Sequence, residues 1–158
     1  MDLHAVSAFE AITTLLKVSE LKKLSRLTHW EIISPQALEQ EALNDINRIC
    51  NETYYIVNPN KESWTINSIP SAGSSLSRLL VEVKTKNTPI EVAVINKIKI
   101  KLNIDIQSIK KSTIWDLRFD KESTLSKEDI ERRIINTSAT DLGILVHPLY
   151  EEFSYLKA

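Results

Sequence analysis

Glycine is scarce in this sequence. Only Gly73 and Gly143 occur among its 158 residues. A phosphate-binding loop and a dinucleotide-binding fingerprint each need several glycines at fixed spacing, because the backbone must approach the phosphates closely. The scarcity of glycine therefore excludes both kinds of nucleotide site.

Cysteine is scarcer still, and long apolar runs are missing. Cys50 is the only cysteine, so no intrachain disulfide can form and a reducing compartment is expected. It shares the apolar side of a helical pattern with Ile46 and Ile49, which predicts a buried structural thiol rather than a nucleophile. No apolar run approaches the roughly 18 residues of a membrane span, and no secretory signal precedes the first helix. We expect a cytoplasmic protein.

An excess of positive charge is also absent. The formal net charge is −1 and the isoelectric point is near 6.3. A nucleic-acid-binding domain normally carries a marked basic excess, so neither nucleic acid nor membrane is an expected partner. Lys110 and Lys111 are expected to lie on a solvated face.

What the sequence does contain is an internal repeat. In each half a helix-like apolar run leads to a strand with a tryptophan, Trp30 in the first half and Trp115 in the second. A proline anchor follows in each half, at Pro59 and at Pro148. A period this long indicates a duplicated domain-sized unit rather than a solenoid. The pattern favours a symmetric scaffold over an enzyme with one pocket.

The first half is predicted to fold as α-β-β-α-β. Apolar residues at helical spacing predict a helix over residues 5–16. Residues 21–33 are predicted to form a hairpin with its turn near 24–28. Ser34-Pro35 is expected to open a second helix that runs towards Cys50, and residues 63–66 are expected to form a strand.

The second half is predicted to fold as β-α-β-β-α-β, the ferredoxin-like order. Residues 79–83 are a clear strand, and Thr88-Pro89 with Glu91 predicts a capped helix over 89–102. The alternation of apolar residues from 98 to 106 alone favours a strand, but comparison with the first half favours the helix. A hairpin is expected from residue 104. Ser126 and Asp129 form a capping box for the next helix, and 153–156 is the last strand.

The predicted fold class is therefore α+β, with tandem ferredoxin-like (βαββαβ) units that form an intrachain pseudo-dimer. Residues 1–69 are the first unit, 70–77 a linker rich in serine, and 78–158 the second unit. The first unit lacks a clear opening strand. Three explanations stay open: the unit borrows a strand, its sheet is reduced, or the start is internal.

Residues with catalytic chemistry are scattered. His4, His29 and His147 have no metal-ligand spacing, and no Ser-His-Asp or Cys-His arrangement is indicated. The acidic pair Glu151-Glu152 is interpreted as solvated rather than as a general acid and base. We therefore predict no catalytic residue and no metal ligand.

The repeated anchors resemble the PurS family, the small subunit of phosphoribosylformylglycinamidine (FGAM) synthase. The resemblance rests on Asn58–Ile66 and on His147–Tyr155, and covers nearly the whole chain. Ala5–Phe9 is similar to the start of the N-terminal domain of large, single-chain FGAM synthases, a fused pair of PurS-like units. In the second half His147 replaces the expected Asn.

The resemblance implies a subunit without catalytic residues in purine biosynthesis. Such a subunit docks the ATP-dependent large subunit (PurL type) to the glutaminase subunit (PurQ type), so that ammonia passes between them. The complex uses ATP and Mg, and this chain is expected to bind no cofactor directly. It is expected to be a monomer, as a pseudo-dimer, or a homodimer. The residues predicted to lie at or near a partner interface are Pro59, Trp64, His147, Pro148 and Phe153.

Two other interpretations stay open. One is a ferredoxin-like regulatory domain that senses a small molecule, similar to ACT domains. Those domains have a glycine in the first strand-helix turn, and the turn from Lys84 to Pro89 has none. The other is an enzyme with an unrecognised site.

Overall fold

A computed structural model describes residues 2–70, 75–138 and 142–157. Residues 71–74 of the predicted linker lie outside the described residues. The helices are α1 (Leu3–Glu10), α2 (Glu39–Glu52), α3 (Val92–Leu102) and α4 (Lys127–Ile130). Single π-helical turns, Ala11–Leu15 and Glu131–Ile135, continue α1 and α4. The strands are β1 (Leu21–Ile33), β2 (Ser77–Thr85), β3 (Ser108–Phe119) and β4 (Glu151–Leu156).

The four strands form one sheet in the order β1-β3-β2-β4. The strand β2 is antiparallel to both of its neighbours, and Val81 lies opposite Trp115 on one side and Tyr155 on the other. The backbone N–H of Gln107 donates to the carbonyl of Ile33, just outside the start of β3. An α+β fold is therefore confirmed.

Both predicted hairpins are wrong. Residues 21–33 form one strand of 13 residues, and the second hairpin is replaced by the 12-residue strand β3, which begins at Ser108 rather than at residue 104. Neither strand contains Gly, Pro or Asn, the residues that tight turns favour. Each long strand pairs with the other instead of folding back on itself.

The other predicted elements had mixed outcomes. The strand at 79–83, the helix ending at Leu102 and the last strand are confirmed, and so is the Ser126–Asp129 capping box. The strand at 63–66 is wrong, because these residues belong to no sheet. Two helix starts are also wrong: α2 begins after Leu38 and α3 after Glu91.

The chain forms two compact units, each built from separate segments. The first comprises Met1–His29, Ala72–Asn87 and Ser112–Ala158, and the second comprises Trp30–Ser71 and Thr88–Lys111. The first unit therefore contains α1 and α4, and the second contains α2 and α3. The first unit therefore has the helix that precedes β1 and the helix that follows β3. The second unit has the helix that follows β1 and the helix that precedes β3. The division at residues 70–77 stays a prediction.

Each unit has its own hydrophobic core. The first is formed by residues of α1, α4, their π-helical turns and all four strands, among them Ile12, Val81, Leu117 and Ile134. The second contains the buried residues Ile49, Ile98, Ile104, Ile106 and Ile109, with Trp30 and Ile32 of β1 packed against them. Cys50 is buried beside Ile49, as predicted, and burial raises the pKa of its thiol.

Candidate functional site

The two proline turns share a pair of hydrogen bonds. In the first, the backbone N–H of Asn58 donates to the Glu62 carboxylate at 2.7 Å, and the N–H of Glu62 donates to the carbonyl of Asn58 at 2.8 Å. In the second, the N–H of His147 donates to the Glu151 carboxylate at 2.8 Å, and the N–H of Glu151 returns to the carbonyl of His147 at 2.8 Å. In these two bonds Asn58 and His147 use only their backbone, so the two residues are equivalent there. The first turn has one further bond, from the N–H of Asn60 to Asn58 Oδ1 at 3.1 Å.

The segments that follow the two turns differ. After the second turn, β4 pairs with β2, and the N–H of Lys86 donates to the carbonyl of Tyr150 at 2.8 Å. After the first turn, residues 63–66 alternate between exposed and partly buried side chains, as β4 does over 152–155, but join no sheet. The described part of the first half contains no strand equivalent to β2. The partner that β4 has is therefore missing for residues 63–66.

The residues predicted to contact a partner are divided between the two units. Pro59 and Trp64 are partly buried in the second unit. In the first unit His147 is exposed, and its ring lies 4.8 Å from that of Tyr150. Phe153 packs against the first core. Their role in partner binding stays a prediction.

Pro148 has a second contact that fixes its turn. Its carbonyl accepts a hydrogen bond from the Lys86 ammonium at 2.6 Å. Lys86 follows β2, so this contact and the Lys86 backbone bond tie the second turn to the end of that strand.

Sequence reasoning missed a buried polar cluster on the sheet. The Glu82 carboxylate, with 6% of its side chain exposed, accepts a hydrogen bond from Ser112 Oγ at 2.8 Å. His29 Nδ1 lies 2.8 Å from Glu82 Oε1 and 2.9 Å from Ser112 Oγ. The Lys84 ammonium lies 3.2 Å from the other carboxylate oxygen. A single glutamate inside the otherwise apolar run of residues 79–83 was the signal that such a cluster exists.

The serine, histidine and glutamate of this cluster do not form a catalytic triad. A triad needs one ring nitrogen directed to the carboxylate and the other to the hydroxyl. Here the same nitrogen of His29 faces both oxygens, and Ser112 donates its own proton to Glu82. The histidine therefore stands in no position to relay a proton from Ser112 to the carboxylate, and the arrangement is that of a structural ion-pair network.

A second buried carboxylate lies on the same sheet. Asp116 accepts hydrogen bonds from the guanidinium groups of Arg78 and Arg118, each at 2.9 Å to one oxygen. The side chains of Asp116 and Arg118 are 6% and 5% exposed. The charge of this buried carboxylate is thus paired with two guanidinium groups.

Both carboxylates are held in the ionised form. Burial of Glu82 opposes ionisation, but the hydrogen bonds from Ser112, His29 and Lys84 outweigh this cost and keep its pKa below the usual value. Burial opposes the ionisation of Asp116 as well, and its two arginine partners hold its pKa below the usual value too.

A third polar contact lies at the outer strand of the sheet. The hydroxyl of Tyr155 donates to Glu131 at 3.1 Å, and the Lys127 ammonium lies 3.8 Å from the centre of the tyrosine ring. Burial and the nearby glutamate raise the pKa of Tyr155 far above its usual value. These contacts join β4 to α4 and its π-helical turn.

Two further features are absent from the part of the chain that the structure describes. Among them, no group of three or more His, Cys, Asp or Glu side chains is placed to hold a metal ion. None of the described helices is both long enough and apolar enough to cross a membrane.

Comparison with known proteins adds no relative. No protein-family model, no curated protein and no solved structure matches this chain.

Proposed function

We propose that this chain is a non-catalytic, PurS-like subunit of FGAM synthase. In this role it bridges the ATP-dependent PurL-type subunit and the PurQ-type glutaminase subunit in the cytoplasm, so that ammonia passes between them. The proposal includes the finer fold assignment, a tandem pair of ferredoxin-like units joined as an intrachain pseudo-dimer. ATP and Mg act in the partner subunits, and this chain positions those subunits.

The observation that carries the proposal is the equivalence of the two proline turns. The first five residues of the two sequences that resemble PurS form turns with the same pair of hydrogen bonds, Asn58 with Glu62 and His147 with Glu151. A shared local structure at both anchors supports a duplicated unit, and duplication is what relates this chain to a family that acts as paired units.

The composition of the two compact units gives further support. The first combines α1 with α4, and the second combines α3 with α2. If the halves are repeats, α1 corresponds to α3 and α2 to α4, so each unit contains one copy of each kind of helix.

Two features depart from a complete pair. The described residues contain one four-stranded sheet, and those of the first half include no strand that corresponds to β2 or to β4. The proposal therefore assigns a reduced first half and a complete second half.

Reconstitution tests the proposal. The chain is mixed with a PurL-type and a PurQ-type subunit in the presence of ADP and glutamine, and the mixture is analysed by size-exclusion chromatography. We expect all three proteins to elute together, and glutamine-dependent FGAM synthesis to rise when the chain is added. Separate elution with no gain in glutamine-dependent synthesis would overturn the proposal.

Variants at the exposed second turn locate the contact. His147→Ala keeps the backbone hydrogen bonds of the turn, so a weaker complex would assign the side chain to the interface. Lys121→Ala, at an exposed position in the loop after β3, is the matched control. Thermal shift with amino acids tests the regulatory-domain alternative, because a ligand that binds only the folded protein raises its midpoint.

A further inference from the structure

The outer edge of β1 pairs with no other strand of the described sheet, whereas the corresponding edge of β3 pairs with β2. The strand β1 stands at one end of the sheet. The carbonyl of Ile33 is directed to β3, where it accepts from Gln107. Because successive residues of a strand direct their backbone groups to opposite sides, Ile32 and Trp30 present theirs to the outer edge. Residues 30–32 make no backbone hydrogen bond to a described segment outside the sheet.

The two repeats differ in burial at this position. Trp115 and Leu117 of β3 are 9% and 0% exposed, and the adjacent strand β2 contributes Val81 and Val83 to the same core. Their counterparts in the repeat, Trp30 and Ile32, are only partly buried against the second core. In the first unit β2 covers this apolar surface. The described residues of the second unit have the equivalent surface but no strand that covers it.

Residues 63–66 also lack a strand equivalent to β2 with which to pair. In the second half, β4 lies on the far side of β2, with Phe153 opposite Val83 and Ser154 opposite Glu82. In the repeat Trp64 corresponds to Phe153 and Thr65 to Ser154. One missing strand thus accounts both for the open edge of β1 and for the absence of sheet pairing at residues 63–66.

We propose that the second unit is a docking site for one extended strand of a partner protein. The strand pairs antiparallel with Trp30–Ile33 of β1, and its other side pairs with residues 63–66, which then become a strand. This is recognition by strand addition, in which backbone hydrogen bonds supply affinity and alternate side chains supply specificity. The inference rests on the repeat alone and does not require the proposed role in purine biosynthesis.

The template β2 defines the chemistry of the partner segment. Its apolar residues Leu79, Val81 and Val83 alternate with other residues, and they face the core of the first unit. The incoming segment is accordingly about seven residues long, with aliphatic side chains at alternate positions that cover Trp30 and Ile32. It contains no proline where its backbone N–H groups pair.

A second copy of this chain fits the site poorly. Its own β2 is paired on both sides, by β3 and by β4. The remaining sheet edge is that of β4, and pairing of β4 with β1 of another copy is a head-to-tail contact that risks an open chain of molecules. The partner strand is therefore assigned to a different polypeptide.

A peptide that copies residues 77–85 is the probe, and hydrogen exchange is the measurement. We expect exchange of the backbone amides of residues 30–33 and 63–66 to slow by about tenfold or more when the peptide is bound. The control is the same peptide with N-methyl groups at alternate residues, which removes the donors on one side. Unchanged exchange in both segments at saturating peptide would overturn the proposal.

A pair of variants tests the pairing of residues 63–66. The N–H of Lys86 donates to the carbonyl of Tyr150, so Ser154 also directs its N–H to β2, and its counterpart Thr65 directs its N–H to the added strand. Thr65→Pro removes this donor and Thr65→Ala keeps it, while both lose the side-chain bond to Ser68. We expect the proline variant to bind the peptide about fivefold to tenfold more weakly than the alanine variant, the loss of one hydrogen bond.

Sedimentation separates the partner strand from self-association. The expected result is a monomer that binds one peptide. A dimer that dissociates when the peptide is added would mean that a second copy occupies the edge, and would overturn the assignment to a different polypeptide. Equal peptide affinity of the two Thr65 variants would contradict the pairing at residues 63–66.

Discussion

His29 and Glu82 lie on strands that are not neighbours, yet His29 Nδ1 is 2.8 Å from Glu82 Oε1. The strand β3 runs between β1 and β2, and its residue Ser112 contacts both side chains. One buried carboxylate thus connects three strands of the sheet.

Replacement of Glu82 with glutamine should destabilise the protein. The amide has no charge for the Lys84 ammonium to pair with, and its N–H₂ group needs acceptors that Ser112 alone cannot supply. We expect the free energy of unfolding to fall by about 1–3 kcal/mol, the usual cost of disturbing a buried charged hydrogen bond. Urea denaturation at neutral pH measures the loss. A change smaller than that of Glu122→Gln, at an exposed position, would contradict the assigned role.

The same variant should change the acid sensitivity of the protein. The pKa of Glu82 is lower in the folded protein than its usual value of 4.5. Its contribution to stability is therefore present above that value and is lost as the pH falls through the folded-state pKa. We expect the difference in stability between the wild type and Glu82→Gln to shrink as the pH is lowered from neutral towards 3. A difference that stays constant would contradict a carboxylate of lowered pKa.

The carboxylate of Asp116 should be the more costly one to remove. Asp116→Asn removes the charge of a carboxylate that pairs with both Arg78 and Arg118, and the side chain of Arg118 is 5% exposed. Removal of one partner of a buried ion pair costs about 3 kcal/mol or more. The control is Asp120→Asn, which breaks an exposed pair with Lys22 and should cost less than about 1 kcal/mol. Guanidinium denaturation compares the two variants, and equal losses would contradict the prediction.

The proline anchors and most single elements of the second half could be predicted from sequence, because their signals are local. The capping box depends on Ser126 and Asp129 alone, and each proline turn depends on residues four positions apart. The two long strands were not predicted, because a six-element unit requires a hairpin in each of these segments. Neither segment contains the Gly, Pro or Asn that a tight turn favours.

The buried polar clusters could not be predicted for a different reason. Glu82 is 30 residues from Ser112 and 53 from His29 along the chain. Their contact depends on strand order and register, which the local sequence does not specify. The sequence shows only that a charged residue interrupts an apolar strand and needs partners. It does not show which residues provide them.

Gly143 should not tolerate a side chain. A Cβ atom there would lie 2.4 Å from the backbone nitrogen of Asn136, and backbone atoms cannot move aside as the end of a side chain can. The carbonyl of Gly143 also accepts a hydrogen bond from the hydroxyl of Thr137. We expect Gly143→Ala to lower the free energy of unfolding by about 3 kcal/mol, the cost of severe overpacking. Thermal unfolding measures it, and Thr124→Ala, at an exposed position, should leave the midpoint nearly unchanged.

Cys50 should react slowly with thiol reagents while the protein is folded. The thiol is 4% exposed, and its burial raises the pKa, so little thiolate forms and little of it is accessible. We expect the reaction with Ellman's reagent at pH 8 to be slow in buffer and fast in denaturant, to one thiol per chain. Rapid reaction of the folded protein would contradict a structural role for this cysteine.

The two proline turns should respond alike to the loss of their glutamates. Glu62→Ala and Glu151→Ala each remove the acceptor of one backbone N–H, that of Asn58 and that of His147. We expect each variant to lower the free energy of unfolding by about 0.5–1.5 kcal/mol, the net value of one hydrogen bond. The neighbouring exposed residues give the matched controls Lys61→Ala and Glu152→Ala, which should have smaller effects. Urea denaturation measures all four variants. If Glu151→Ala destabilised the protein and Glu62→Ala did not differ from its control, the two turns would not be energetic equivalents, and the argument for duplication would lose its strongest structural support.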